Sequence, residues 1–422
     1  MTGMAQDSMA TGPRFFDYRN GTLFAEDVSL TRIAEAVGTP VHVYSAGALR
    51  HAADEFRAAV RHLPGARTAF AVKANPNTAV LRLLAERGYG ADIVSGGELR
   101  RALDAGMEPA GIVFSGVGKT DRELSDALEA RIGQFNLELE EEGEVLARLA
   151  HGRGVRAPSL LRVNPDVDAG THGKISTGKR ENKFGVAIAE APAMYDRLAQ
   201  LDGLDLRGVA LHIGSQLSDL APLEAAYRRI GELVFELRRR GHTITRVDLG
   251  GGLGIPYHLQ DRVPSPAAYG AMVARVTREW NVGLTFEPGR VVAGAAGILL
   301  TRVIWVKLGA THPFIIVDAA MNDLARPALY GAHHRFSAVS AGRESMEATI
   351  AGPVCETGDT FGVGQAIDRV RRGDLAVFHT TGAYGAAMAS SYNCRPLSPQ
   401  VLVDGADFTV VGDRMLPAEL VA

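Results

Sequence analysis

Cysteine is scarce in this sequence, with two residues in a chain of 422. Two cysteines cannot build a disulfide framework, the pattern that stabilises many small secreted domains. The first residues, MTGMAQDSMATGPRF, also lack the basic stretch and apolar core of a signal peptide. We therefore expect a cytoplasmic protein whose thiols are reduced.

Long hydrophobic runs and an excess of charge are missing as well. The most apolar stretch, VVAGAAGILLTRVIWVKL, is interrupted by Arg302 and Lys307. A membrane-spanning helix needs about 20 consecutive apolar residues, so this stretch predicts two adjacent β-strands and no membrane segment. The formal net charge of −3 gives no reason to expect nucleic acid or an anionic membrane as a partner. The charge and hydropathy of the chain are compatible with a small soluble substrate.

What the chain does contain is an ordinary globular composition, 46% hydrophobic and 22% charged. Its 422 residues exceed the usual size of one domain, so we expect two. The sequence shows no internal repeat of the solenoid type and no linker rich in proline or serine.

Short apolar runs that end in Gly, Asn, Pro or Ser recur eight times in the first part of the chain. Most of them are separated by segments with helical periodicity, such as TAVLRLLAERG. Eight strands alternating with helices predict a parallel (β/α)8 barrel of the TIM type. A doubly wound open sheet is the competing architecture. The eight runs are 67–75, 90–97, 112–117, 134–139, 159–165, 207–215, 246–252 and 284–290.

After Arg290 the pattern becomes β-rich, punctuated by glycine and without long helical stretches. This predicts a second, mainly β domain, resembling a sandwich or barrel. We place the barrel domain at residues 39–295 and the β domain at residues 296–422, with the N-terminal segment 1–38 joining the β domain.

Polar and charged residues cluster where the predicted barrel strands end. In such a barrel the loops at the C-terminal ends of the strands build the site. Lys73 ends the first strand, His212 follows the sixth, and Glu287 ends the eighth. Glycine-rich turns, 250–252 and 288–290, follow the last two strands, where phosphate sites are common in this fold.

These residue types fit pyridoxal phosphate. Its aldehyde needs an amine, its phosphate needs N–H donors, and its ring nitrogen needs an acid that keeps it protonated. Lys73, the two glycine turns and Glu287 can meet those needs, and His212 can stack on the ring. Each residue also has a plain structural interpretation: a solvated lysine, a tight turn, a loop cap and a core histidine. Their joint arrangement favours the cofactor.

Longer motifs support the same interpretation. FAVKAN, HIGSQ, DLGGGLGI and FEPGR, in this order, resemble the barrel-type pyridoxal-phosphate decarboxylases that act on amino acids. Within that class the later motifs resemble the diaminopimelate decarboxylases, and the likeness runs from about residue 15 to the C-terminus. Those motifs are STGKRENKFG (176–185), MNDLARPALYGAHH (321–334), GPVCETGD (352–359) and TGAYGAAMASSYNCRP (381–396).

The resemblance implies a role for each matching residue. Lys73 carries the cofactor, His212 stacks on it, and Glu287 holds its ring nitrogen. The remaining cofactor contacts are implied for Ser215, Gly251, Gly252, Pro288, Gly289, Arg290 and Tyr384. The substrate contacts implied are Arg290, Arg326, Tyr330, Glu356 and Tyr384.

The resemblance also implies that the active unit is a homodimer. Cys355 and Glu356 reach into the partner subunit's site, where Cys355 is the proton donor. A small buried hydrophobe would be the plain interpretation of Cys355, and Cys394 is expected to be structural. His333 and His334 have no third ligand at a suitable spacing, so we expect no metal.

The activity that the resemblance implies is decarboxylation of meso-2,6-diaminopimelate to L-lysine and carbon dioxide. Alternatives are an ornithine, arginine or carboxynorspermidine decarboxylase, and a non-catalytic barrel that carries pyridoxal phosphate. An amino-acid racemase on the same barrel would not need the CysGlu pair. Arg326 together with Arg290 argues against ornithine and arginine, because neither substrate has a second carboxylate to bind.

Overall fold

The structure, a computed structural model, describes residues 15–168, 183–258 and 260–416. Most of the STGKRENKFG motif and the first 14 residues lie outside these ranges. The described chain forms a closed parallel barrel and a second, mainly antiparallel sheet. None of the helices in the described ranges has both the length and the hydrophobicity that crossing a bilayer requires.

Eight parallel strands form the barrel, one from each of the eight apolar runs. The eighth strand pairs with the first, Thr285 opposite Arg67 and Phe286 opposite Thr68, so the sheet closes. This closure confirms the barrel and excludes the open doubly wound sheet. The strands are Arg67–Ala71, Gly90–Ile93, Val113–Phe114, Gln134–Leu137, Ala157–Asn164, Leu204–Ala210, Arg246–Asp248 and Gly283–Phe286. A short extra strand, Val186–Ala187, pairs with the fifth.

Helices surround the barrel and bury their apolar faces against it. In one of them, Thr78–Ala85, the side chain of Asn77 accepts a hydrogen bond from the Ala79 N–H at 2.9 Å and caps the N-terminus. The helix ends at Ala85, and Gly88 follows in the left-handed region with φ 72°. The others are Ala46–Val60, Gly96–Asp104, Asp121–Glu129, Glu140–His151, Ala191–Leu198, Ala221–Arg239, Pro266–Val276 and Arg290–Ala293.

A hydrogen-bonded polar layer lies inside the barrel, below the strand ends. Gln134 donates to Asp248 at 2.6 Å, and Asn136 donates to Ser115 at 3.1 Å. All four side chains are buried. Buried polar groups are stable only when such partners satisfy them. The layer therefore supports the charged residues above it in fixed positions.

The second sheet departs from the sequence prediction at its start. VVAGAAGILLTRVIWVKL does not form two adjacent strands: a helix, Arg290–Ala293, and a short turn precede one strand, Gly297–Lys307. The turn passes so close to Ile255 that a Cβ on Gly294 would lie 2.3 Å from the Ile255 Cδ1 atom. A side chain at this position would therefore require the Ile255 side chain to move.

Nine strands of the described chain build this second sheet. One of them, Val41–Ser45, lies between Gly297–Lys307 and Gln400–Asp404. The predicted barrel domain, residues 39–295, includes this strand, although the strand pairs in the second sheet. The remaining strands are Phe314–Val317, Phe336–Ala338, Ser345–Ala351, Thr360–Asp368, Leu375–Phe378 and Asp407–Gly412. A short helix, Arg326–Tyr330, lies between two of them.

The N-terminal segment forms a small sheet of its own and a helix. The Leu23 N–H donates to the Val339 carbonyl at 2.8 Å, which joins this sheet to the β domain. Its elements are the strands Phe16–Arg19, Thr22–Ala25 and Val28–Ser29 and the helix Leu30–Val37.

Candidate active site

Lys73 lies in a short 3-10 turn, Val72–Ala74, directly after the first barrel strand. Its Nζ atom is 2.8 Å from Oδ2 of Asp92, which is fully buried on the second strand. Burial disfavours the ammonium, but the negative charge of Asp92, with Tyr384 and Glu287, more than offsets this, so the pKa of Lys73 lies above its ordinary value. The ion pair holds the amine at the mouth of the barrel.

Glu287 follows the eighth strand and is 8% exposed. Burial raises its pKa well above the ordinary value, and the nearby carboxylates of Asp248 and Asp92 raise it further. The Ser115 hydroxyl donates to its Oε1 atom at 3.4 Å. A buried carboxyl with two acidic neighbours ionises only when a cation lies beside it. Glu287 is therefore suited to hold a positively charged group of a ligand.

The glycine turn after the seventh strand is restricted to glycine by backbone and by space. Gly250 and Gly252 have φ of 65° and 113°, where side chains are strained. A Cβ on Gly251 would lie 2.2 Å from the Glu287 carbonyl oxygen. These residues let the backbone of the seventh and eighth loops approach each other and line the cavity.

His212 follows the sixth strand and lines the cavity with Lys73. The Gly251 N–H donates to its Nδ1 atom at 3.2 Å, which leaves the proton of a neutral ring on Nε2. Burial, together with the positive charges of Lys73 and Arg162, lowers the pKa of His212 well below its ordinary value. The ring is therefore neutral and can stack on another planar group.

Two arginines face the same cavity and are almost fully buried: Arg290 is 7% exposed and Arg326 is 6% exposed. Arg290 donates to the Ser215 hydroxyl at 3.1 Å, and its guanidinium lies 4.7 Å from the Tyr384 ring centroid. Its Nε atom is buried and has no hydrogen-bond partner in the described part of the chain. A buried N–H without a partner is a donor that a bound ligand can satisfy.

The structure brings most of the predicted site residues together around one cavity of about 240 Å³. A second cavity of about 350 Å³ adjoins it and shares Lys73, His212 and Glu287. The predicted residues that line the first cavity are Lys73, His212, Ser215, Gly251, Gly252, Glu287, Pro288, Gly289, Arg290, Arg326, Tyr330 and Tyr384.

Cys355 and Glu356 are the two predicted site residues outside these cavities. They lie on the loop between the strands Ser345–Ala351 and Thr360–Asp368. Cys355 is exposed, so it is not the small buried hydrophobe of the plain interpretation, and Cys394 is exposed as well. The loop is nevertheless ordered by Asp359, whose carboxylate accepts the Val354 N–H at 2.7 Å and the Met321 N–H at 2.6 Å.

Several contacts at the site were not predicted from the sequence. Asp92 stands at the end of a strand, a position that signals function, but only the structure shows that it pairs with Lys73. Tyr257 contacts both arginines from the loop after the seventh strand, and no sequence signal marks it. His334 bonds to Arg326, and His333 stacks on His258 at 3.8 Å between ring centroids. The absence of a metal stays a prediction.

Pyridoxal phosphate fits this set of residues. Lys73 offers an amine at the cavity wall, Glu287 offers a buried acid for a cationic ring nitrogen, and the glycine turn 250–252 lines the same cavity. The buried Arg290 Nε adds an unused donor. The fold and the site thus define a pyridoxal-dependent decarboxylase of the barrel class, and residues 49–294 match the family described as "Pyridoxal-dependent decarboxylase, pyridoxal binding domain".

Full-length comparisons narrow the class. The chain is 49% identical to a diaminopimelate decarboxylase of Zymomonas mobilis over 96% of this chain and 97% of that protein. It is 48% identical to one of Pseudomonas aeruginosa, over 96% of this chain and 98% of that protein. The solved diaminopimelate decarboxylase of M. jannaschii in complex with L-lysine superposes with a TM-score of 0.93 at 34% identity, covering 96% of each chain. The chain belongs to the diaminopimelate decarboxylase family.

Proposed function

We propose that this chain decarboxylates meso-2,6-diaminopimelate to L-lysine and carbon dioxide, the last step of bacterial lysine synthesis. The observation that carries the proposal is the pair of buried arginines in the cavity that also holds Lys73. Diaminopimelate has an amine and a carboxylate at each end, so one carboxylate remains to be bound when the other end reacts. Guanidinium groups bind a carboxylate with two parallel hydrogen bonds.

The same observation weighs against the alternatives. Ornithine and arginine have no second carboxylate, so burying Arg290 and Arg326 at their site would leave two cations without a partner. A barrel that only carries the cofactor would not need the β domain, which supplies Arg326, Tyr330 and Tyr384 to the cavity. Carboxynorspermidine has one carboxylate and is the alternative that a substrate comparison must exclude.

The cofactor, when bound, supplies an electron sink for the carbon that loses carbon dioxide. Lys73, at the cavity wall, is the residue that would hold the cofactor aldehyde covalently, and its amine would lie beside the reacting carbon of the substrate. Glu287 would hold the protonated ring nitrogen, because this buried carboxyl is ionised only when a cation lies beside it. The neutral His212 ring would stack on the cofactor without adding charge.

The residues around the distal end of the substrate set its orientation. Arg290 and Arg326 bind the distal carboxylate, and Tyr330 and Tyr384 close the cavity around the substrate. Glu356 pairs with the distal ammonium. Binding both ends of the substrate places the reacting carboxylate at Lys73 before any bond breaks, which lowers the entropic part of the barrier.

Cys355 returns the proton to the carbon that has lost carbon dioxide. Because Cys355 and Glu356 lie outside the cavities of their own chain, we assign them to the site of a partner subunit in a homodimer. The exposed position of Cys355 on an anchored loop supports this assignment.

The activity is tested by incubating purified protein, loaded with pyridoxal phosphate, with meso-diaminopimelate. Carbon dioxide and L-lysine should appear in equal amounts, and Lys73→Ala should abolish both. Carboxynorspermidine, supplied separately, should react at least about a hundredfold more slowly, since it offers no distal amino-acid group to the arginine pair. Turnover of carboxynorspermidine alone would identify the alternative.

The shared site is tested by mixing two inactive variants, Lys73→Ala and Cys355→Ala. If each site combines Lys73 of one chain with Cys355 of the other, a mixed dimer has one site with both defects and one with neither. Random reassortment makes about half of the dimers mixed, so roughly a quarter of wild-type activity should return. If each site is built within one chain, activity stays at the level of the single variants. The test requires that Cys355→Ala alone be nearly inactive. If this variant is active, Cys355 is not the proton donor, and the mixing experiment is repeated with Glu356→Ala in its place.

We also propose a cytoplasmic location. The two cysteines are both free, in keeping with a reducing compartment. Cell fractionation with an antibody to the native protein tests this, and recovery from the periplasm would contradict it.

A further inference from the structure

The arginine pair poses an electrostatic problem that the fold must solve. Arg290 and Arg326 bring two positive charges to one cavity and are both buried. Burial lowers the pKa of the Arg326 guanidinium from its ordinary value; Tyr257 opposes this shift, and the charge of Arg290 adds to it. Like charges in a buried site repel each other strongly. Something must hold the two guanidiniums together when no carboxylate lies between them.

Tyr257 contacts both of them. Its hydroxyl oxygen accepts a hydrogen bond from Nη1 of Arg290 at 2.6 Å. The guanidinium carbon of Arg326 lies 4.5 Å from the centroid of its ring, within the range of a cation–π interaction. One side chain therefore offers negative potential to two cations, the oxygen to Arg290 and the ring face to Arg326.

Tyr257 is itself held in place by its loop. The carboxylate of Asp261 accepts the N–H groups of Tyr257 at 2.8 Å and of His258 at 2.9 Å, which fixes the turn. The His258 ring stacks on His333 of the β domain. The loop after the seventh barrel strand is thus anchored to the β domain, from which Arg326 also comes.

Arg326 is supported by a second group. Its Nη1 atom donates to Nε2 of His334 at 2.8 Å, and Nδ1 of His334 is 2.9 Å from the His379 carbonyl oxygen. A carbonyl only accepts and a guanidinium only donates, so the ring has its proton on Nδ1. Burial and the charge of Arg326 lower the pKa of His334 to about 3, so the ring stays neutral. His334 therefore fixes Arg326, but it does not contact Arg290 in these bonds, whereas Tyr257 contacts both guanidiniums. Tyr384, whose ring lies 4.7 Å from the Arg290 guanidinium, has a smaller electrostatic effect on Arg326 than Tyr257 has.

We propose that Tyr257 is a specificity-determining positioning residue, which holds Arg290 and Arg326 side by side so that both bind the distal carboxylate of the substrate. This inference rests on the proposed function, because it assumes a substrate with a distal carboxylate. Tyr257 acts through the arginines and need not touch the reacting atoms. Its loss should weaken recognition of that carboxylate and leave the chemistry at Lys73 largely intact.

Two small amines separate this effect from general damage. L-lysine keeps the distal amine and carboxylate of diaminopimelate, and 1,5-diaminopentane is L-lysine without its carboxylate. The ratio of their affinities for the holoenzyme therefore measures recognition of the carboxylate alone. Both are titrated against the absorbance of the bound cofactor, which also shows that each variant is folded and loaded.

The test uses Tyr257→Phe, Tyr257→Leu and a control, Tyr89→Phe. The control removes a buried hydroxyl that donates to the Ala53 carbonyl at 2.8 Å, away from the cavity. In Tyr257→Phe the preference for L-lysine should fall about tenfold, the usual effect of losing a hydrogen bond to a charged group. In Tyr257→Leu, which also loses the ring face, it should fall about a hundredfold. Tyr89→Phe should keep the wild-type preference.

Steady-state kinetics with diaminopimelate give an independent measurement. In Tyr257→Phe, KM should rise by about the same tenfold factor while kcat stays within about twofold of wild type. If both Tyr257 variants bind L-lysine and 1,5-diaminopentane with equally reduced affinity, or keep the wild-type preference, the role of Tyr257 is refuted while the proposed function stands. If wild type itself does not prefer L-lysine, the distal carboxylate site is absent, and the proposed function fails together with this inference.

Discussion

Replacing Glu287 by glutamine should remove activity and stabilise the cofactor-free protein. Glu287 is 8% exposed, and its pKa is raised by burial and then by Asp248 and Asp92. Glutamine has nearly the same shape but cannot balance the charge of a protonated ring nitrogen. Removing one preorganised electrostatic partner lowers kcat by about a hundredfold to a thousandfold. Because the lost partner carries a full charge in a buried site, we expect about a thousandfold, or ~4 kcal/mol.

The stability effect follows from the direction of the pKa shift. A carboxyl whose pKa is higher in the folded state than its ordinary value of 4.5 binds its proton more tightly when folded. The wild-type protein therefore loses stability as the pH rises from the ordinary pKa through the folded one. Glu287→Gln has no such loss, so its cofactor-free form should have the higher Tm, by a margin that grows as the pH rises above 4.5.

Glu98→Gln is the matched control. Burial raises the pKa of Glu98 to about 7, and its carboxylate accepts the Val94 N–H at 2.7 Å, a bond that glutamine can keep. This control should also raise the Tm, by a margin that grows between about pH 4.5 and 7 and is retained above pH 7, yet it should leave kcat within a fewfold of wild type. The assays are carbon dioxide release, cofactor content by absorbance, and thermal unfolding at pH 5 and pH 8. Near-normal kcat in Glu287→Gln, with full cofactor content, would refute its role at the ring nitrogen.

Three further predictions concern the cofactor and the substrate. Borohydride reduction of the holoenzyme followed by peptide mapping should place the cofactor on Lys73, and a label on any other lysine would refute the assignment. Arg326→Ala should lower kcat/KM for diaminopimelate by a factor equivalent to about 2–5 kcal/mol, because the distal carboxylate is left poorly paired. Arg156→Ala is the control and should leave kcat/KM unchanged, because the Arg156 guanidinium bonds to a main-chain carbonyl outside the cavity. Gly251→Ala should fold with little bound cofactor, since its Cβ would meet the Glu287 carbonyl at 2.2 Å; normal cofactor content would show that the turn relaxes freely.

The sequence predicts the barrel well because each strand is a local signal. An apolar run that ends in a turn residue, followed by a periodic helix, marks the position of Lys73 after Arg67–Ala71 without any knowledge of the rest of the chain. The glycine turn and Glu287 can be predicted for the same reason, because their positions at strand ends follow from the strand pattern.

Features that depend on distant pairing could not be predicted in this way. The strand Val41–Ser45 belongs to the second sheet only because it lies between Gly297–Lys307 and Gln400–Asp404, far along the chain. The roles of Asp92 and Tyr257 likewise depend on which side chains the closed barrel and the β domain bring to one cavity. The role proposed for Cys355 lies in the site of a second chain, and contacts within one chain do not determine it.

The claim that a distal carboxylate selects the substrate is tested most directly by competition. Holoenzyme is given meso-diaminopimelate, ornithine and arginine together at equal concentrations, and the amine products are separated and quantified. The arginine pair predicts L-lysine as essentially the sole product, with putrescine and agmatine at least about a hundredfold lower. Putrescine or agmatine in amounts comparable to L-lysine would contradict the account.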